Sequence, residues 1–162
     1  MFHFKLMTIT DARELLSWRY EEPYTLYNIV AQPGKEDELL SFFADPNNQY
    51  YSITNDDGVM VASCCFGGDA QVRGGDYSTD AIDVGVGTRP DLTGQGHGHL
   101  LVGAILGFGR QQFQPTTFRA TIAGFNQRSQ RTFIKLGFQQ TDRFVRASDL
   151  REFRIFMREE RP

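Results

Sequence analysis

Cysteine is nearly absent from this 162-residue chain, tryptophan occurs once, and no stretch of about 18 apolar residues appears anywhere. The two cysteines, Cys64 and Cys65, are sequence neighbours. Adjacent side chains of a strand point to opposite faces, so the pair does not suit a disulfide, and reduced thiols in a cytoplasmic protein are the expectation. Excess charge is lacking too. Seventeen basic against twenty acidic residues give a net charge of −3, which offers no broad basic field to a nucleic acid or an anionic membrane. The first residues, MFHFKLMTITDARELL, lack the apolar core of a secretion signal, and a soluble, unprocessed protein is expected. A small, largely neutral partner fits this balance best.

What the chain does contain is ordered. Phe2 to Met7 alternates weakly as a first strand, and ARELLSWRY follows as a helix, with Thr10 or Asp11 as its cap and Glu14 completing a capping box. KEDELLSFFA is a second helix, acidic in its first turn. Tyr50 to Thr54 and Val59 to Phe66 flank NDDG as a hairpin. Gly67 to Ser78 holds four glycines and reads as a mobile loop; AIDVGVGT is a strand interrupted by Gly85 and Gly87. An apolar helix over 98–110, the strand TFRATIA, the helix NQRSQRTFIKLG and a closing pair, FQQTDRFV with REFRIFM, complete the order. There is no repeat and no composition break, so a single domain over 1–162 is expected.

The stretch RPDLTGQGHGHLLVG (89–103) alternates Gly94, Gly96 and Gly98 with His97 and His99 before an apolar helix. A strand running through such a turn into a helix presents backbone N–H groups at a positive helix end, an arrangement that suits phosphate or pyrophosphate. Two nucleotide motifs fail on spacing. No Gly-Lys-Ser/Thr ends the turn, and G-x-G-x-x-G lands on His99 or Leu101. His97 and His99 stand two apart with only Asp91 as a nearby carboxylate, which does not suit a metal; close packing of the helix on a sheet is the alternative use of the glycines.

Thr93-Gly94-Gln95-Gly96-His97-Gly98 resembles the signature of the GCN5-related N-acetyltransferase (GNAT) superfamily, Arg or Gln, two residues, Gly, one residue, Gly or Ala, except that Thr93 replaces its first long polar residue. A second block, Asn126, Ser129 and FIKLGF ending at Phe138, is similar to the family's N-x-x-A/S and Y-x-K-x-G-F. The likeness covers nearly the whole chain and is strongest over 81–138. It implies an α+β fold with a mostly antiparallel, twisted sheet of six to seven strands, flanked by helices and splayed at the cofactor strand. It also implies acetyl-CoA as cofactor. Val84, Val86, Gly87 and Thr88 would pair with the pantetheine; Gly94, Gln95, Gly96, His97, Gly98 and His99 would hold the pyrophosphate. Asn126, Ser129 and Phe133 would line the cofactor from the following helix, with Asn126 serving as a helix cap in any case.

By the same resemblance an amine attacks the thioester directly, which calls for a base, an oxyanion donor such as a backbone N–H near Val86, and an acid for the sulfur. The family's acid is a tyrosine seven residues after the helix-opening Asn. Here that residue is Phe133, so Tyr77, Tyr24 or Tyr27 would substitute, or the thiolate leaves unaided. Relatives often carry a base on the next strand, where this chain has Thr121; Asp83, at the start of the cofactor strand, is the alternative, with a solvated edge carboxylate as its plain reading. Trp18, Glu21, Tyr24 and Tyr27 form the expected substrate wall, suited to a cationic amine. Arg143, Arg146, Arg151, Arg154 and Arg158 make a basic hairpin that would suit an acidic substrate group or be an ordinary solvated edge. The expected activity is acetyl transfer to a primary amine of a small molecule or a protein N-terminus. A non-catalytic acyl-CoA sensor is the alternative, and similar proteins are frequently homodimers.

Overall fold

A computed structural model describes residues 1–161. Its strands are β1 (His3–Leu6), β2 (Tyr50–Thr54), β3 (Met60–Phe66), β4 (Ile82–Thr88), β5 (Thr117–Ala123), β6 (Gln139–Arg146) and β7 (Arg151–Glu159). Its helices are α1 (Ile9–Ser17), α2 (Glu36–Ala44), α3 (Gly98–Phe113) and α4 (Gln127–Lys135). The strands form one open sheet in the order β1-β2-β3-β4-β5-β7-β6. This is the expected mixed, mostly antiparallel α+β architecture, with seven strands.

The chain clusters into two compact units. One comprises Met1–Cys65 with Val86–Thr93 and the other Phe66–Gly85 with Gly94 onward. In the first, β1, β2 and β3 are antiparallel neighbours. Asn55 organises the β2–β3 turn: its side-chain oxygen accepts from the N–H groups of Asp57 and Val59, both at 3.0 Å. Helix α1 begins earlier than expected. Thr8, not Thr10 or Asp11, is its cap, and Asp11, not Glu14, closes the capping box: the Asp11 N–H donates to Thr8 Oγ1 at 3.2 Å, and the Thr8 N–H to Asp11 Oδ2 at 3.0 Å. The T-x-x-D spacing two residues upstream supplies the same chemistry and lets Ala12, Leu15 and Leu16 face inward. They pack with Met7, Trp18, Leu40, Phe43 and Met60 into one apolar cluster.

In the second unit every residue of β5 has a partner in antiparallel β7, and β7 pairs in turn with β6. Phe118, Ile105, Leu106, Phe138, Ile155 and Phe156 are almost wholly buried and form its core. At about 25 cal/mol per Å² of apolar surface, each contributes roughly 1.5–3 kcal/mol toward folding. Helix α3 buries Leu101, Val102, Ile105 and Leu106, but leaves Leu100 more than half exposed. It runs three residues beyond the expected end, to a left-handed cap at Gln114. Edge strand β6 is mostly exposed and carries the charge that discourages pairing with another sheet.

Candidate functional site

Where β4 meets β5 the pairing is parallel and short. Among the described residues it covers Ile82↔Phe118 and Asp83↔Arg119, while β5 continues alongside β7 to Ala123. The backbone of Val84 and Gly85 therefore runs on without a register partner in β5, as the expected splay requires. Val84 itself is buried.

The glycine turn lies in the same unit as β5 and α4. Gly94 and Gly96 have φ of 74° and 79°, a region that L side chains rarely adopt, and His97 begins α3 without any side-chain cap. Gly94 to Gly98 are all exposed. The first N–H groups of a helix have no intrahelical acceptor, so an uncapped, exposed α3 terminus offers donors to an incoming anion. Helix α4 supports the turn. A Cβ on Gly94 would come within 3.1 Å of Arg128 Nη1, and one on Gly98 within 3.3 Å of Thr132 Oγ1. Asn126 caps α4 as expected, its side-chain oxygen accepting from the Ser129 N–H at 3.1 Å. Phe133, expected along the cofactor, is only 3% exposed and packs edge-to-face on Phe138 at 5.0 Å. Its ring is a core element in this structure, consistent with a residue that has no proton to give.

Asp83 is not the solvated edge carboxylate of the plain reading. It is 3% exposed, Arg119 is 2% exposed, and the two form a forked pair: Arg119 Nε donates to Oδ1 at 2.6 Å and Nη2 to Oδ2 at 2.8 Å. Gln71 Nε2 also donates to Oδ2 at 2.9 Å. With both oxygens occupied by donors, the carboxylate anchors the Arg119 and Gln71 side chains. Hydrogen bonding to Asp83 holds the Arg119 pKa above its ordinary value against the opposing effect of burial. The sequence reading missed Arg119. Its signal was there: an arginine inside the apolar strand TFRATIA needs a buried carboxylate, and IDVGV supplies one.

The segment read as a mobile glycine loop is tied to the sheet. Tyr77 Oη accepts from the Val72 N–H at 2.9 Å and lies 2.9 Å from Thr121 Oγ1. Arg119 Nη1 donates to Thr79 O at 2.8 Å, and its guanidinium carbon lies 4.9 Å from the Tyr77 ring centroid. A Cβ on Gly75 would stand 2.7 Å from Tyr77 Cε2 and 2.9 Å from Phe144 Cε1, so only glycine fits between the rings.

In the other unit, the expected substrate wall divides. Trp18 is a core residue, 7% exposed within the α1–α2 cluster, because the chain turns inward at the end of α1. Glu21 is exposed, whereas Tyr24 and Tyr27 are half-buried. Tyr27 meets Tyr20 edge-on at 6.3 Å. Tyr20 in turn donates its hydroxyl to Thr88 O at 2.6 Å and is bracketed by Asn28, which binds both its N–H and its C=O. This tethers the end of β4 beyond Val86 and Gly87. Gly87 lies close enough to Ser63 that a Cβ would come within 3.1 Å of Oγ. The basic hairpin is largely neutralised by its own carboxylates: Arg146 and Arg151 pair with Asp149, Arg154 with Glu152, and Arg158 with Glu160. Among the described residues no helix is long and apolar enough to cross a membrane.

No curated protein matches the sequence, but solved structures match the fold. An acetyltransferase of the GNAT family from Bacillus anthracis superposes with a TM-score of 0.73 at 12% identity, covering 98% of this chain and 94% of the other. A chimera of the spermidine N-acetyltransferase SpeG from Vibrio cholerae and hSSAT gives 0.70 at 13% identity, over 98% and 95% of the two chains. The aminoglycoside acetyltransferase AAC(6')-Ib, in complex with coenzyme A, gives 0.74 at 14% identity, over 99% and 95%. At such identities the likeness speaks for the fold alone. Membership is carried by sequence: the family model of the acetyltransferase (GNAT) domain matches residues 2–139, and the chain belongs to that family of enzymes, whose acyl donor is acetyl-CoA.

Proposed function

We propose that this enzyme transfers the acetyl group of acetyl-CoA to a primary amine of a small molecule or a protein N-terminus by direct attack. The observation that carries the reading is the exposed, uncapped α3 terminus at Gly94–Gly98, backed by Arg128 at a distance a single Cβ would fill. Those residues fit a pyrophosphate: backbone donors, a positive helix end and a guanidinium converge, with no carboxylate in the turn itself. Gln95, His97 and His99 would add donors at its rim. Val84, Gly85 and the continuing strand through Val86, Gly87 and Thr88 would offer backbone groups to the pantetheine amides, with Asn126 and Ser129 bounding the arm from α4.

Bound acetyl-CoA supplies a thioester carbonyl at which a neutral amine forms C–N as C–S breaks. The chain's own part is positioning and proton traffic. The Val86 N–H is the proposed donor to the carbonyl oxygen as it gains charge. Tyr77 is the proposed acid. It gives its phenol proton to the departing sulfur and takes back the proton that the attacking nitrogen sheds, so one group closes the proton balance. Asp83 serves as an anchor for this arrangement. Glu21, Tyr24 and Tyr27 are the proposed amine-facing residues, since a carboxylate among aromatic rings suits a cation. The names of two structural neighbours, a spermidine and an aminoglycoside acetyltransferase, support polyamines and aminoglycosides as the first acceptors to try.

Thiol release from acetyl-CoA, followed over polyamines, aminoglycosides, amino acids and N-terminal peptides, tests the proposal. Amine-dependent release is expected from at least one class. Tight coenzyme A binding with no release from any of them would instead mark a binding module, the reading that Phe133 in place of the family's tyrosine favours.

A further inference from the structure

Buried guanidinium groups are costly unless every donor finds a partner, and Arg119 spends its donors unevenly. Two go to Asp83 in a fork. That fork already neutralises the charge. A third, on Nη1, goes to the backbone carbonyl of Thr79 at 2.8 Å, and the guanidinium plane covers the Tyr77 ring. Both of these contacts are with one short segment, and they fall on Tyr77 and just after it. The segment is moored just before Tyr77 as well, through Gln71 on Asp83 and through the Val72 N–H on the Tyr77 oxygen. Gly75 lies between the Tyr77 and Phe144 rings, where a Cβ would come within 2.7 Å of one and 2.9 Å of the other.

The result is a phenol fixed in orientation. Its oxygen receives the Val72 N–H and shares a hydrogen bond of 2.9 Å with Thr121 Oγ1 on β5, in which either hydroxyl can be the donor; a ligand atom that takes the place of Thr121 would meet the phenol proton. Thr121 lies two residues beyond Arg119 on the same strand, past the last β4–β5 pair. Satisfying the buried guanidinium accounts for the fork and for a carbonyl on Nη1; that the carbonyl is Thr79 and that the guanidinium lies over the Tyr77 ring brings both contacts to the segment that carries the phenol. The geometry points to Arg119, locked by Asp83, as a positioning residue that holds the Tyr77 hydroxyl at β5 for proton transfer. Its catalytic half rests on the acetyl-transfer proposal above; its structural half does not.

The two halves are read separately. In ligand-free protein, amide hydrogen exchange at Val72 reports whether the Tyr77 hydroxyl is in place. In Arg119→Gln, which also breaks the buried pair, amides of α3 and β7 lose protection with the general stability, and Val72 is expected to exchange at least about 10-fold faster beyond that common loss. Protection at Val72 that falls no further than theirs would overturn the mooring. In thiol-release assays, Tyr77→Phe is expected to lower kcat by about 100-fold with a far smaller change in KM for acetyl-CoA. Arg119→Gln should fall similarly in kcat, and the double variant no further than Tyr77→Phe alone, since both remove one function. Losses that multiply in the double variant would overturn the positioning role. Thr121→Val removes the hydroxyl's partner on β5 without touching the ion pair, and it should also speed exchange at Val72. It serves if Arg119→Gln does not fold, and unchanged exchange there counts against the mooring. Wild-type protein that releases no thiol with any amine would defeat the acetyl-transfer proposal and the catalytic half together, and Val72 exchange would still decide the mooring.

Discussion

Arg119 on β5 and Asp83 on β4 face one another through two parallel N–H···O bonds of 2.6 and 2.8 Å, at the last register pair the two strands share. The ion pair thus sits where the strands part company. The carboxylate at that point, from sequence either a base or a solvated edge group, is paired with a buried arginine.

Asp83→Asn follows from this. The amide keeps the shape but cannot neutralise the guanidinium, and breaking a buried pair by removing one partner costs roughly 3–5 kcal/mol. Urea or thermal unfolding of the variant should show a loss of that order. A variant as stable as the parent, with activity abolished, would return Asp83 to the role of base.

Gly94→Ala tests the turn. The new methyl must tolerate a φ of 74° and displace Arg128 Nη1 from 3.1 Å. The left-handed backbone costs about 1 kcal/mol, borne by an exposed loop. Coenzyme A affinity, measured by calorimetry, should fall by at least about 10-fold, while the melting temperature moves by only a few degrees. Equal affinity would remove this turn as the pyrophosphate site.

Thr8→Ala removes the α1 capping box. The loss expected is about 1 kcal/mol of unfolding free energy, readable as a shifted urea midpoint at constant m. Thr10→Ala, at the position expected from sequence, should cost much less.

Asp149 gives a pH signature. The hydrogen bond from Arg146 outweighs the effect of burial and lowers the carboxyl to about 2. A folded-state pKa below the unfolded one means that the pair's contribution is fully present above the ordinary carboxylate value, near 4, and is lost as pH falls through about 2. Carbon-detected NMR titration of Asp149 should give that midpoint, and Arg146→Gln should move it back toward 4.

Both thiols are buried, and burial, with the neighbouring Cys65 adding to it, pushes the Cys64 pKa well up. Thiol-reactive dye should therefore label the native protein slowly at Cys64, with rapid labelling of both on unfolding. Fast labelling at neutral pH without urea would contradict the packing of β3.

Local patterns were enough for the order of elements. The strand read as TFRATIA is β5 residue for residue; Asn126 announced the start of α4, and the DG of NDDG announced the β2–β3 turn. These signals act within a few residues, through pleat, cap and turn chemistry, and the Gly94–Gly98 turn belongs with them. Tertiary structure alone decided what depends on distant partners. It made Trp18 a core residue rather than a pocket wall, assigned the hairpin arginines to their own carboxylates, and turned the glycine segment before β4 into a moored strap around Tyr77. Asp83 and Arg119 are 36 residues apart. Neither residue announces its partner locally, because a charge inside an apolar strand states only that it must be neutralised; the parallel register of β4 and β5 supplies the group that does so.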